Sequence, residues 1–234
     1  MAMTNQSEYD SQRVNNKTLL MLFFLAFIVR SAYALWGMGW AGDSTAYLAI
    51  AKNLAFHHSF SLTTGIPTAW HPPLYPFLIA AFWWTDNAPI TALILLQIIC
   101  GAATVVLVYL IAKDRFHHTV ALVAALGMTC APMSVHYTTL ILTESVFTLL
   151  LILAIFFWGR NRAIAAGLTF GLAALTRATI IPFLLCLPLL LVLPPWRQYK
   201  RLYLIIFIIA ISVSSVWTIR NAIVFRKFIL VQSG

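Results

Sequence analysis

The stretch Ala88–Ala112, APITALILLQIICGAATVVLVYLIA, contains no charged residue. A helix of about 20 apolar residues crosses the hydrocarbon core of a bilayer, so this run constrains the chain more than any other feature. Thr18–Trp36, Thr119–Val135, Leu140–Trp158, Ile180–Leu193 and Leu202–Trp217 share its character. The shorter Ala163–Leu175 carries Gly167 and Gly171, a small-xxx-small spacing that lets membrane helices approach closely. Pro182 and Pro188 predict a bend in the next segment. With 62% hydrophobic and 9% charged residues, the chain has no polar shell for a soluble globule. The sequence therefore predicts an all-α polytopic membrane protein.

Charge sets the expected topology. The net charge of +9 comes from basic residues scattered in pairs between apolar runs. That pattern suits loops held against an anionic leaflet, and it argues against a nucleic-acid partner. Arg13 and Lys17 precede the first run and Ala32-Tyr33-Ala34 resembles a cleavage site, but Arg30 interrupts the run and further spans come after it. The first run is read as an uncleaved span.

The segment Pro72–Trp84 is too short to cross and opens with Pro72, Pro73 and Pro76. If it lies at the outer surface or dips in, Arg13, Lys17, Lys113, Arg115, Arg160, Arg162, Arg197, Lys200 and Arg201 all fall inside. The positive-inside rule then favours seven crossings with a cytoplasmic tail at residues 1–17. Trp36, Trp40, Trp70, Trp83, Trp84 and Trp217 are expected at the outer interface. The outer loop 37–88 is far longer than a connection needs. Within it Ser44–Phe56 reads as a surface-lying amphipathic helix, with Tyr47, Ile50, Ala51 and Leu54 on one face, Lys52 and Asn53 towards the other, and Asp43 at the N-cap.

Six acidic residues are few enough to weigh one by one. Glu8, Asp10 and Asp114 read as solvated, and Asp86 as a turn residue. Asp43 reads as a helix cap, as a carboxylate facing a cleft, or as both. Glu144 opens a span of otherwise continuous apolar residues, where an ionisable group points to function or to a structural salt bridge. Arg177 and Arg220 either snorkel to headgroups or, with His71, form a pocket for an anionic group. The pairs His57-His58 and His117-His118 lack ligand spacing with an acid, so a divalent metal is only weakly supported. Cys100, Cys130 and Cys186 are isolated and read as free thiols.

Five segments carry a family resemblance: GDSTAYLAIAKNL, PTAWHPPLYPFLIAAFW, LTESVFTLLLILAIFFW, GLTFGLAALTRAT and WTIRNAIVF. In this order they resemble the GT-C membrane glycosyltransferases, in the branch of the protein O-mannosyltransferase-like proteins and the aminoarabinose transferase of lipid A. The resemblance runs from about Arg30 to the end of the chain. It implies a GT-C-like module over 18–234 that transfers a sugar from a polyprenyl-phosphate carrier to an acceptor on the outer face of a bacterial inner membrane. The acceptor class, whether glycan, lipid or protein, stays open.

By the same resemblance Asp43 is the general base and Glu144 orients the acceptor or assists it. His71, Arg177 and Arg220 stabilise the departing phosphate, with His71 standing where Lys or Arg is more usual. The surface helix and Pro72–Trp84 wall the cleft where the lipid enters. Relatives continue past WTIRN, so the resemblance also implies a missing C-terminal half, supplied by a partner chain if at all. A truncated non-catalytic subunit is the alternative reading. A transporter using Arg30, Glu144 and Arg177 as intramembrane charges is a third.

Overall fold

The computed structural model of the protein describes residues 15–37, 39, 41–85, 87–191 and 197–233. Glu8, Asp10, Arg13, Trp40 and Asp86 lie outside the described residues, as does the segment 192–196. The described residues are mostly helical, with one small hairpin. Helix α1 (Asn16–Ala34) opens on Asn15, whose side chain accepts a hydrogen bond from the Lys17 amide at 2.9 Å. The 37–88 loop holds α2 (Gly42–His57), the hairpin β1 (Ser61–Thr63) and β2 (Ile66–Pro67), and α3 (Leu74–Ala81). Then come α4 (Ile90–Lys113), α5 (His118–Cys130) and the short α6 (Pro132–His136), which runs into a 3₁₀ turn at Tyr137–Thr139. Helices α7 (Glu144–Gly159) and α8 (Ala163–Thr176) form a tight pair. A bent segment comes next, with α9 (Ile181–Cys186) between 3₁₀ turns at Ala178–Ile180 and Leu187–Leu191, and α10 (Lys200–Phe225) is the last helix.

Among the described residues α1, α4 and α10 are long and apolar enough to cross a membrane, and the α5–α6 pair makes a fourth span if its 53° bend is counted within one crossing. The expected runs Leu140–Trp158 and Ala163–Leu175 are shorter as helices. Leu140–Thr143 is not helical, and α8, with 14 residues, is only about 21 Å long. Hydropathy alone makes Thr119–Val135 one helix. Pro132 breaks it, because proline has no N–H for the carbonyl four residues back and leaves Ala131 extended. The bend expected at Pro182 and Pro188 is present, as the succession of 3₁₀ and α turns around α9.

Helix α4 is central, packed against α1, α5 and α7. Small residues bring α1, α4 and α5 together, with Ala26, Ala102, Ala121 and Ala125 fully buried. On the other side α8 lies against α10. An added Cβ at Gly171 would sit 2.6 Å from the Val213 Cβ and 3.0 Å from the Ala210 carbonyl, and one at Gly167 2.8 Å from the Ile209 Cβ. The small-xxx-small face is thus a backbone-to-backbone contact.

Three sequence expectations change in and around the 37–88 loop. Asp43 is not the cap: α2 starts at Gly42 after Ala41, and Asp43 lies in its first turn. The capping hydrogen bond belongs to Ser44, whose Oγ accepts from the Ala41 amide at 3.2 Å. Asn53 is buried rather than solvated. Its Nδ2 donates to the Ser61 and Leu62 carbonyls at 2.8 and 3.2 Å and its Oδ1 accepts from Thr64 Oγ1, so it brackets the hairpin. Trp36, Trp70 and Trp84 are exposed, but Trp83 and Trp217 are only 7% and 9% exposed and belong to the protein core.

The α8–α10 contact is testable. Gly171→Val overpacks a site closed by backbone on one side and is expected to destabilise by about 1–3 kcal/mol, read as a lower Tm in detergent. Gly127→Ala, where an added Cβ meets nothing within 4 Å, should leave Tm unchanged.

Candidate active site where α2 meets the bundle

The site is built around the buried non-helical segment Leu140–Thr143 and the 3₁₀ turn before it, whose carbonyls need donors from within the protein. Gln97 provides two. It is fully buried in α4, and its Nε2 donates to the Leu140 carbonyl at 2.8 Å and the Thr138 carbonyl at 3.3 Å. Its Oε1 accepts from the Tyr75 hydroxyl of α3 at 3.2 Å, so its amide is engaged at both ends. The start of α2 is tied to the same segment. Ser44 Oγ donates to the Ile141 carbonyl at 3.1 Å, and the Gly39 amide to the Thr139 carbonyl at 3.3 Å. Gly39 pairs in parallel with Leu140, and a Cβ at residue 39 would strike the Leu140 side chain.

These ties dock α2, with the exposed Asp43 in its first turn, beside the start of α7, where Glu144 is the first residue; both carboxylates act on Tyr47. Glu144 Oε1 accepts from Arg177 Nη1 at 2.6 Å. The salt-bridge reading of Glu144 is therefore met, and Glu144 Oε2 stays buried with no hydrogen-bond partner among the described residues. A carboxylate suits a helix N-terminus, and Arg177 lies just past the C-terminal end of α8, where a cation is favoured.

Tyr47 stands between these groups. Its hydroxyl is pushed up to about 12, first by burial and then by the negative charge of Asp43, while a hydrogen bond from Thr143 draws it partly back. Glu144 and Arg177 act on it in opposite directions. The phenol is neutral at physiological pH. The His71 ring lies against Tyr47 with centroids 4.5 Å apart, and Tyr47 meets Tyr75 edge-on at 5.2 Å. Burial pushes the His71 imidazole below its ordinary pKa, with Asp43 pulling the other way, and its Nε2 is buried without a hydrogen-bond partner among the described residues. The direction of that shift favours the uncharged ring.

Asp43, His71, Glu144 and Arg177 are brought together around Tyr47; Arg220 is placed elsewhere. Its Nη1 donates to the Thr68 carbonyl at 2.9 Å and to Asn221 Oδ1 at 3.0 Å, and its guanidinium lies over Trp217 at 4.7 Å. There it lines a cavity of about 710 Å³ between α2, α3 and α10, with Phe60, Phe77, His58 and Ser59. A second cavity of about 540 Å³ lies between α7, α8 and the α9 segment. Its walls are Phe147, Leu151, Ile155, Trp158, Phe170 and Phe183, starting one helical turn from Glu144.

Sequence reasoning missed Gln97, Tyr47 and Ser44. Gln97 had a signal, as the one amide side chain within Ala88–Ala112. Tyr47 reads from sequence only as part of the apolar face of α2. Among the described residues no three His, Cys, Asp or Glu side chains group as metal ligands. His118 instead pairs with the Tyr109 hydroxyl at 3.0 Å.

The fold and site define an integral membrane protein, mostly helical, with an acidic and basic cluster at one end of its bundle. Residues 70–219 match the model of the dolichyl-phosphate-mannose-protein mannosyltransferase family, and the chain belongs to that family. It is thereby a membrane glycosyltransferase of the mannosyltransferase type. The matched residues include His71, Glu144 and Arg177, while Asp43 precedes them and Arg220 comes directly after. No curated protein and no solved structure matches the chain.

Two measurements check this geometry. Gln97→Leu leaves the Leu140 and Thr138 carbonyls without their donor, at about 1–3 kcal/mol for each group left unpaired, so Tm in detergent should fall clearly. For His71, the unfolded chain binds a proton more readily than the folded one, so stability is full above about pH 6.5 and declines as pH falls below it. Tm measured from pH 7 to 5 should drop, and His71→Gln should make that drop shallower.

Proposed function

We propose that the protein transfers a sugar from a polyprenyl-phosphate carrier to an acceptor hydroxyl on the outer side of the membrane. In this reading Asp43 takes the acceptor proton as the oxygen attacks the anomeric carbon, and the bond from that carbon to the phosphate oxygen breaks with its electron pair leaving on the phosphate. Glu144 orients the acceptor and holds Arg177. Arg177 offers positive charge to the departing phosphate, and neutral His71 offers a ring N–H to it rather than a cation. Arg220, set apart beside the larger cavity, meets the carrier phosphate where α2 and α3 wall its entry.

The observation that carries the reading is the meeting of Asp43, Tyr47 and the Glu144–Arg177 pair, drawn from α2, α7 and the end of α8. The apolar cavity that begins one turn from Glu144 supports a substrate with a hydrocarbon chain. Seven crossings with a cytoplasmic N-terminus and a bacterial inner-membrane location belong to the same proposal, supported by the placement of basic residues. Arg30, one of the three charges of the transporter reading, is fully buried.

The test uses membranes carrying the whole chain, supplied with radiolabelled polyprenyl-phosphate mannose and membrane acceptors. Asp43→Asn should lower transfer by about 10²–10⁴-fold, the usual contribution of general-base catalysis. Transfer unchanged in Asp43→Asn would remove the general-base role. No transfer by the parent chain would favour a non-catalytic subunit.

A further inference from the structure

Arg30 is a cation within the C-terminal half of α1, fully buried, and among the described residues it forms no ion pair. Such a residue is costly in a membrane and needs a reason. Its neighbours supply one. Pro132 cannot donate to the Met128 carbonyl, which would otherwise close the last turn of α5. Arg30 Nη2 donates to that carbonyl at 3.3 Å and, from the same nitrogen, to Ser134 Oγ at 3.2 Å. One nitrogen therefore holds both sides of the break, the last turn of α5 and the first turn of α6. Nη1 donates back to the Ala26 carbonyl of its own helix at 3.2 Å, which braces the side chain.

Gly101 of α4 makes room for this arrangement. A Cβ there would lie 2.5 Å from Arg30 Nε and 2.9 Å from its Cδ. The geometry points to Arg30 as a positioning residue: it clamps the 53° bend between α5 and α6 and so sets where the Leu140–Thr143 segment, and with it Glu144, meets α2. The bend directs the 3₁₀ turn Tyr137–Thr139 towards Gly39 and Gln97, and Ile141 towards Ser44. The inference stands apart from the sugar-transfer reading, because its test reads position rather than activity.

The experiment places a cysteine at Ile141, which is 2% exposed, and measures its labelling by a bulky maleimide on purified protein in detergent. A parent without that cysteine is subtracted, and Tm is recorded beside it. Arg30→Met should raise the labelling rate at least about tenfold, while Arg30→Lys, which keeps one donor group, should raise it less. Adding Pro132→Ala to Arg30→Met restores a backbone N–H for Met128 once the helix straightens, so Tm should recover while labelling stays high.

Labelling that is unchanged in a folded Arg30→Met protein overturns the inference. So does labelling that returns to the parent rate together with Tm, since Arg30 would then only satisfy a carbonyl. If Arg30→Met does not fold, Ser134→Ala decides. It removes only the bond beyond the break, and it must raise labelling at a near-parental Tm for the clamp to stand.

Discussion

The absence of water inside a bilayer governs this structure. Every peptide group at depth must find its partner within the protein, which is simple in a helix and demanding wherever a helix stops. The chain leaves helical geometry between Thr139 and Glu144, and Gln97 carries the consequence by donating to the Leu140 carbonyl there and to the Thr138 carbonyl of the 3₁₀ turn before it. Its own carbonyl accepts from Tyr75, which fastens α3 to the same point. An irregular stretch near a membrane surface is the place where a polar side chain can be presented without a helix turning it towards lipid. Glu144 begins at the end of that stretch, and α2 docks on it.

Local pattern is legible in the sequence. Apolar runs announce the helices, Gly167 and Gly171 announce a close packing face, and the long outer loop announces extra structure. Glu144 is recognisable because an acid at the head of a greasy segment is rare. Relations between distant residues are hidden. That Asn53 turns inward depends on a hairpin folding back over α2, and that Ser44 rather than Asp43 completes the capping bond depends on the helix starting one residue earlier. Trp83 and Trp217 fit an interfacial belt by type, but their neighbours enclose them. The lengths of α7 and α8 escape a hydropathy reading, which measures greasiness and cannot see where backbone geometry changes.

The two arginines assigned to one role by sequence turn out to have different surroundings. Arg177 is bonded to a carboxylate, so its charge is balanced and its direction set. Arg220 is held by carbonyls and aromatic faces, and among the described residues no acid forms an ion pair with it. A cation of the second kind attracts an anion more strongly, whereas one of the first kind orients it. His71 adds a third kind of contact, a buried ring packed against Tyr47.

The parallel pairing of Gly39 with Leu140 joins residues about a hundred positions apart. A chain made at about 5–20 residues per second supplies the second partner roughly 5–20 seconds after the first. During that interval the loop carrying α2 has been released without the surface on which it rests, and Ser44 lacks its acceptor. The site can therefore close only late in biogenesis, after α4 and the bent α5–α6 pair are in place. A slow or misdirected insertion of those segments would leave the early part of the protein waiting with its apolar face uncovered.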